Sequence, residues 1–113
     1  MTSLEKDKKV FLSLSDETNK LISFYEQYSL DEISKNSILA KAISYDILRL
    51  SRTYKKLGGR YAKRLGEYHA FLLDTGSAIE SDIASSLHYE IISKAKEILP
   101  LLLERLSKIV SSL

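Results

Sequence analysis

The 113-residue chain has no cysteine, no tryptophan, one proline and four glycines. Without cysteine there is no disulfide framework, no thiolate metal site and no cysteine nucleophile, and the composition suits a reducing compartment. With so few breakers, and no alternating strand-like run, helix is the regular structure the chain can form nearly throughout. No stretch approaches the ~18–20 apolar residues of a membrane span. The opening MTSLEKDKKVFL is charged and lacks the apolar centre of a secretory signal. The expectation is a soluble, cytoplasmic protein with no membrane association. Its length allows one domain, 1–113, with a modest core.

What the chain does have is segregated charge. Residues 49–64, RLSRTYKKLGGRYAKR, hold seven Lys or Arg and no acid, whereas residues 1–48 sum to −2 and residues 65–113 to −3. A local field of that size within a chain of net charge +2 marks where a polyanion or an acidic surface would dock.

The apolar pattern is helical. Leu4, Phe11, Leu14, Leu21, Ile22, Tyr25 and Tyr28 predict helices over 3–12 and 16–28, with Ser13, Ser15 and Asp16 interrupting them. Ser29 and Glu32 have capping-box spacing, and Asn36 is a further cap candidate. These N-terminal helices occupy 3–35. Then Ile43, Ile47, Leu50, Tyr54, Leu57, Tyr61, Leu65, Tyr68 and Leu72 recur every three or four residues. The phase survives Gly58-Gly59, and so does the basic stripe. That continuity favours one helix over 37–73, bent at the glycines, against a break there, although two interior glycines cost about 2 kcal/mol.

Asp74-Thr75-Gly76-Ser77 predicts a turn, with Ser77 and Glu80 as a second capping box. Beyond it Ile79, Ile83, Leu87, Ile91, Ala95, Ile98, Leu102, Leu106, Ile109 and Leu113 predict a helix over 78–112, kinked near Pro100. The expected fold is all-α, an elongated bundle built on a long antiparallel helical hairpin. Some apolar seam is left over for a partner subunit or a second copy.

The proposed contact set is Arg49, Arg52, Lys55, Lys56, Arg60, Lys63 and Arg64. Its partner would be nucleic acid, through sequence-independent and salt-dependent phosphate contacts, or an acidic protein surface; a merely solvated face is the bland alternative. Tyr54 and Tyr61 belong to the apolar series, which argues against their stacking on bases. His69 and His88 have no cysteine and no spaced carboxylate or histidine partner, so no metal or cofactor site is expected. Glu90, Glu97 and Glu104 recur every seven residues as a solvated stripe rather than a paired-carboxylate site.

Two resemblances add to this. Arg64-Leu65-Gly66-Glu67-Tyr68-His69 resembles the ribonuclease motif of the HEPN family, small helical bundles in which Arg and His of two protomers meet on a phosphodiester. The likeness implies a metal-independent ribonuclease, with His69 as general acid or base and Arg64 stabilising charge on phosphorus. Leu65 stands where that family usually has a polar residue.

Residues 89–110, YEIISKAKEILPLLLERLSKIV, resemble the closing helix of the α-helical domain of GINS replication subunits, through Glu90-Ile91, Ala95-Lys96 and Arg105-Leu106-Ser107-Lys108-Ile109-Val110. This implies a non-catalytic subunit whose long helices pack against partners in a replication assembly. The first reading is therefore a non-catalytic assembly or nucleic-acid-associated module, oligomeric through its long helices. The HEPN-like ribonuclease is the alternative.

Overall fold

The computed structural model describes residues 2–81 and 87–113. It is all-α, with helices α1 (Ser3–Gln27), α2 (Leu30–Lys35), α3 (Ser37–Lys55), α4 (Ala62–Leu65), α5 (Glu67–Ser81) and α6 (Leu87–Ser112). The four long helices form a bundle of 45 × 28 × 24 Å.

α1 runs without the interruption expected near 13–16. Phe11, Leu14, Thr18, Leu21 and Tyr25 form one buried stripe through that stretch, while Ser13 and Asp16 face solvent. Burial of this stripe outweighs the weak local preference of serine and aspartate for caps. Thr18 turns its hydroxyl inward to donate to the Leu14 carbonyl, so it is buried without loss. The two expected caps around α2 are present. Ser29 and Glu32 exchange hydrogen bonds in a capping box, and the Asn36 side chain accepts from the amides of Ile38 and Leu39 at the start of α3.

The expected helix over 37–73 is instead α3, the short α4 and the first half of α5, with α5 antiparallel to α3. Gly58 and Gly59 adopt φ of 63° and 79°, left-handed backbone that a continuing α-helix cannot contain, and the chain reverses there. The apolar phase persists for a different reason. Leu57, Leu65, Tyr68 and Leu72 return to the same core that Ile43, Ile47, Leu50 and Tyr54 enter, so the periodicity reports a shared interior rather than one helix.

The turn expected at 74–77 is instead the middle of α5. Gly76 is there because the helices touch: a Cβ on it would lie 2.0 Å from Ser51 Oγ and 2.5 Å from Ser51 Cβ. Glu80, expected to cap, reaches across to Arg52 at 3.0 Å. The bundle's hairpin is thus α3 and α5, pivoting on the glycine pair.

α6 passes through Pro100, which lies on its exposed side. Its core face is His88, Ile92, Ala95, Leu99, Leu102, Leu106 and Ile109, a repeat of four and three. Ile91 and Ile98, expected in the core, are half-buried beside it. Ile83 and the side chain of Leu87 lie outside the described residues.

Contacts along the helices set their directions. Glu17 meets Thr53 while Asp7 meets Arg60 and Tyr61, so α1 and α3 are antiparallel. Tyr25 near the end of α1 donates 2.6 Å to the carbonyl of Ile92, and the end of α6 returns to the glycine connection, so α1 and α6 are antiparallel too. Burial raises the Tyr25 phenol pKa, which keeps that donor protonated. Among the described residues, no helix is long and apolar enough to cross a membrane.

Candidate functional site

The connection 56–66 is a run of tight turns followed by the single-turn α4, the turns held by amide-to-carbonyl bonds such as Gly58 to Lys55 (3.0 Å) and Ala62 to Gly59 (3.2 Å). Two fully buried leucines, Leu57 and Leu65, root it in the core. Its polar atoms are tied to both chain ends. Asp7 of α1, only 6% exposed, accepts from the Arg60 guanidinium and, at 2.8 Å, from the Tyr61 hydroxyl. The Tyr61 ring meets Phe11 edge-on at 4.7 Å. Arg64 donates to Ser112, and its own carbonyl accepts from Arg105 at 2.8 Å. Arg105 also lies 5.5 Å from the centre of the Tyr68 ring, a cation–π contact.

These ties gather three basic segments at one pole of the bundle: the first turns of α1, the glycine connection and the last turns of α6. Residues 5–9, 55–67 and 104–108 hold ten Lys or Arg against four Asp or Glu, a balance of +6; the rest of the chain holds seven against eleven, −4. The basic excess is thus concentrated at this pole.

All seven residues of the expected contact set are exposed. They do not lie on one helix face, because the chain reverses among them. Arg49 pairs with Asp46 at 3.7 Å and Arg52 with Glu80 at 3.0 Å, on the flank of α3. Arg60 and Arg64 serve the connection itself. Lys55, Lys56 and Lys63 form no ion pair among the described residues and stand at the pole. The sequence reading missed Lys6, Lys8 and Lys9, exposed in the turn of α1 whose Asp7 is tied to the connection. Their signal was the run Lys-Asp-Lys-Lys; what brings it to the pole is the antiparallel α1–α3 packing.

Glu17 lies where α1 meets α3. One carboxylate oxygen accepts from Thr53 at 3.0 Å, and the other is buried without a partner. Burial raises its carboxyl pKa, against the lowering effect of the Thr53 bond and of Arg49, Lys56 and Lys20 nearby.

Arg64 and His69 do not share a helix. Gly66, with φ of 57°, separates α4 from α5. Arg64 reaches the end of α6, whereas His69 Nδ1 is hydrogen-bonded to the hydroxyl of buried Tyr54 on α3. The two side chains are committed to different neighbours within the chain. The Tyr54 phenol pKa is raised by burial, so its oxygen carries the proton at neutral pH.

A second feature is a trough of about 750 Å³ between α5 and α6. Phe71 and Ala78 line it from α5, Ile91 and Ile98 from α6. Neither helix turns its main core face to the other, since α5 packs on α3 and α6 on α1.

No family model, no curated protein and no solved structure matches this chain.

Proposed function

We propose that the chain is a non-catalytic helical module that holds a nucleic-acid phosphate backbone at its basic pole and packs against another subunit along its open apolar seam. The observation that carries the first part is that Lys55, Lys56 and Lys63, at or in the connection, and Lys6, Lys8 and Lys9, in the turns of α1 that Asp7 ties to it, are exposed and form no ion pair among the described residues. Solvated ammonium groups outside any ion pair gain most from a polyanion, because each neutralised phosphate releases a counterion. Tyr61 of the connection is taken up by Asp7 and Phe11, and Tyr54 at the end of α3 by His69, which favours backbone contact over base stacking.

Fluorescence anisotropy with labelled 20-nucleotide single strands and duplexes, titrated across a salt series, tests this. Binding should weaken linearly in log–log form with salt. Lys55→Ala, Lys56→Ala and Lys63→Ala together should flatten the slope by roughly three phosphate contacts. Arg52→Ala, on the paired flank, should change it little. Undetectable binding at low salt removes the reading and leaves an acidic protein as the partner of this pole.

The role of a replication-complex scaffold rests on the likeness of α6 to GINS subunits, and it requires the seam as well as the pole. A HEPN-like ribonuclease would need Arg64 and His69 to leave Ser112 and Tyr54; RNA cleavage that disappears in His69→Ala is the result that would favour it.

A further inference from the structure

The tyrosines at the connection are occupied, but the outer face of α3 carries one that is not. Of the seven tyrosines, Tyr25 bonds the carbonyl of Ile92, Tyr28 packs on Phe24, Tyr54 meets His69, Tyr61 meets Asp7 and Phe11, and Tyr68 lies under Arg105. Tyr45 and Tyr89 have no hydrogen bond and no aromatic partner among the described residues, and are 58% and 41% exposed. Charge separates the two. Tyr89 borders the α5–α6 trough with Asp74, Glu90 and Glu97, and Lys94 is the one cation of that lining. Tyr45 has Lys41 one turn before it and Arg49 one turn after it, both exposed.

The register of α3 makes a continuous surface of these residues. At about 100° per residue, Lys41, Tyr45, Arg49, Arg52 and Lys56 fall within an arc of about 80°, opposite the buried Ile43, Ile47, Leu50 and Tyr54. Ile38, 77% exposed, lies on the same stripe two turns before Tyr45. The carboxylates beside the stripe are engaged: Asp46 pairs with Arg49 at 3.7 Å, Glu80 with Arg52 at 3.0 Å, and Glu17 accepts from Thr53. Lys41 and Lys56 are exposed and form no ion pair among the described residues. Lys56 is also one of the pole's lysines, about 16 Å from Tyr45 along the helix axis, so the stripe runs into the pole. An exposed ring set among cations, on a face that leads to a basic edge, suits single-stranded nucleic acid: the phosphates follow the cations and a base stacks on the ring. A duplex has its bases covered by their neighbours and offers Tyr45 no face without extruding a base.

We infer that Tyr45 is the stacking platform for one base of a single strand whose backbone runs from the basic pole past Lys56 and Arg49 along the outer face of α3. This rests on the polyanion half of the proposed function and names its substrate class, single-stranded nucleic acid. The pole supplies affinity for any phosphate backbone, and Tyr45 adds a contact that only an unpaired base can make.

Anisotropy titrations of the whole chain with oligo(dT), oligo(rU) and a DNA duplex, each of about 20 nucleotides per strand, provide the test. Tyr45→Ala should weaken single-strand binding on the order of tenfold. It should leave duplex binding and the salt slope unchanged, because no charge is lost. Tyr45→Phe keeps the ring and should restore the wild-type affinity. Tyr45 is exposed, so circular dichroism melts of these variants should match the wild type. The chain has no tryptophan, so Tyr45→Trp places a single emitter on the platform. Its fluorescence should be quenched by the single strand and not by the duplex. Whichever homopolymer shows the Tyr45 effect identifies the strand as DNA or RNA. A Tyr45→Ala variant that binds both single strands as the wild type does overturns the inference and leaves the pole standing. So does a variant that loses the same factor for single strand and duplex, or a Tyr45→Trp emission that the duplex quenches equally. If the wild type binds no nucleic acid at low salt, the pole reading fails and this inference fails with it.

Discussion

α5 has two long faces and the bundle treats them oppositely. Toward α3, Tyr68, Leu72, Gly76 and Ile79 are buried, and the backbones come so close that Gly76 has no room for a methyl group. Toward α6, Phe71 is half-buried, Ala78 is exposed, and a trough of about 750 Å³ remains. One end of that second seam is pinned by Arg105 over Tyr68. The difference shows what a small residue does in each setting. Glycine in the closed seam permits contact; alanine in the open one leaves space. Low side-chain volume identifies neither.

The contrast can be broken most strongly at its closed side. Leu72→Ala removes a side chain that is 1% exposed, and urea unfolding should show a loss of about 2–5 kcal/mol. Gly76→Ala comes next. In a free helix the change would stabilise by about 1 kcal/mol; here the clash with Ser51 should reverse the sign and cost about 1–3 kcal/mol. Because the obstructing atoms are Ser51 Oγ and Cβ, Ser51→Gly should relieve that clash, so the double variant should be more stable than additivity predicts.

The α1–α3 seam sharpens the comparison through pH. The Glu17 carboxyl has its pKa raised by burial above the ordinary 4.5, so folding favours its protonated form. Its contribution is fully present below pH 4.5 and is lost as pH rises through the raised folded value. Glu17→Gln should therefore melt higher than wild type at pH 7, with the gap narrowing as pH falls toward 4.5. The smallest effect belongs to the open seam. Ala78→Leu, two residues beyond Gly76, should change unfolding free energy by no more than about 0.5 kcal/mol in the monomer.

Several elements were legible before the fold was known. The Ser29–Glu32 box and the Asn36 cap are local, settled by hydrogen bonds within four residues, and both are present. The buried series from Ile43 to Leu72 was read with only Tyr61 left half-exposed. Misreadings fell where a long-range contact overrides a local rule. Ser13 to Asp16 look like a cap but ride on the outside of a well-buried stripe. Asp74 to Ser77 look like a turn, but Gly76 is a contact with Ser51, twenty-five residues away. The phase across Gly58-Gly59 looked like one helix because either path returns the same side chains to the core.

The candidate pole divides along the same line. Lys and Arg density in 49–64 was plain, yet nothing local indicates that Arg49 and Arg52 are paired on a flank while Lys6, Lys8 and Lys9 join from the other end of the sequence. By itself the sequence determined composition, helical periodicity, the caps and the segregation of charge, because each depends on neighbours within about two turns. The tertiary structure alone decided where the chain reverses, which glycine is a contact and which a pivot, and which cations are left free. Those outcomes depend on the positive φ of Gly58 and Gly59 and on antiparallel packing that joins residues more than fifty positions apart.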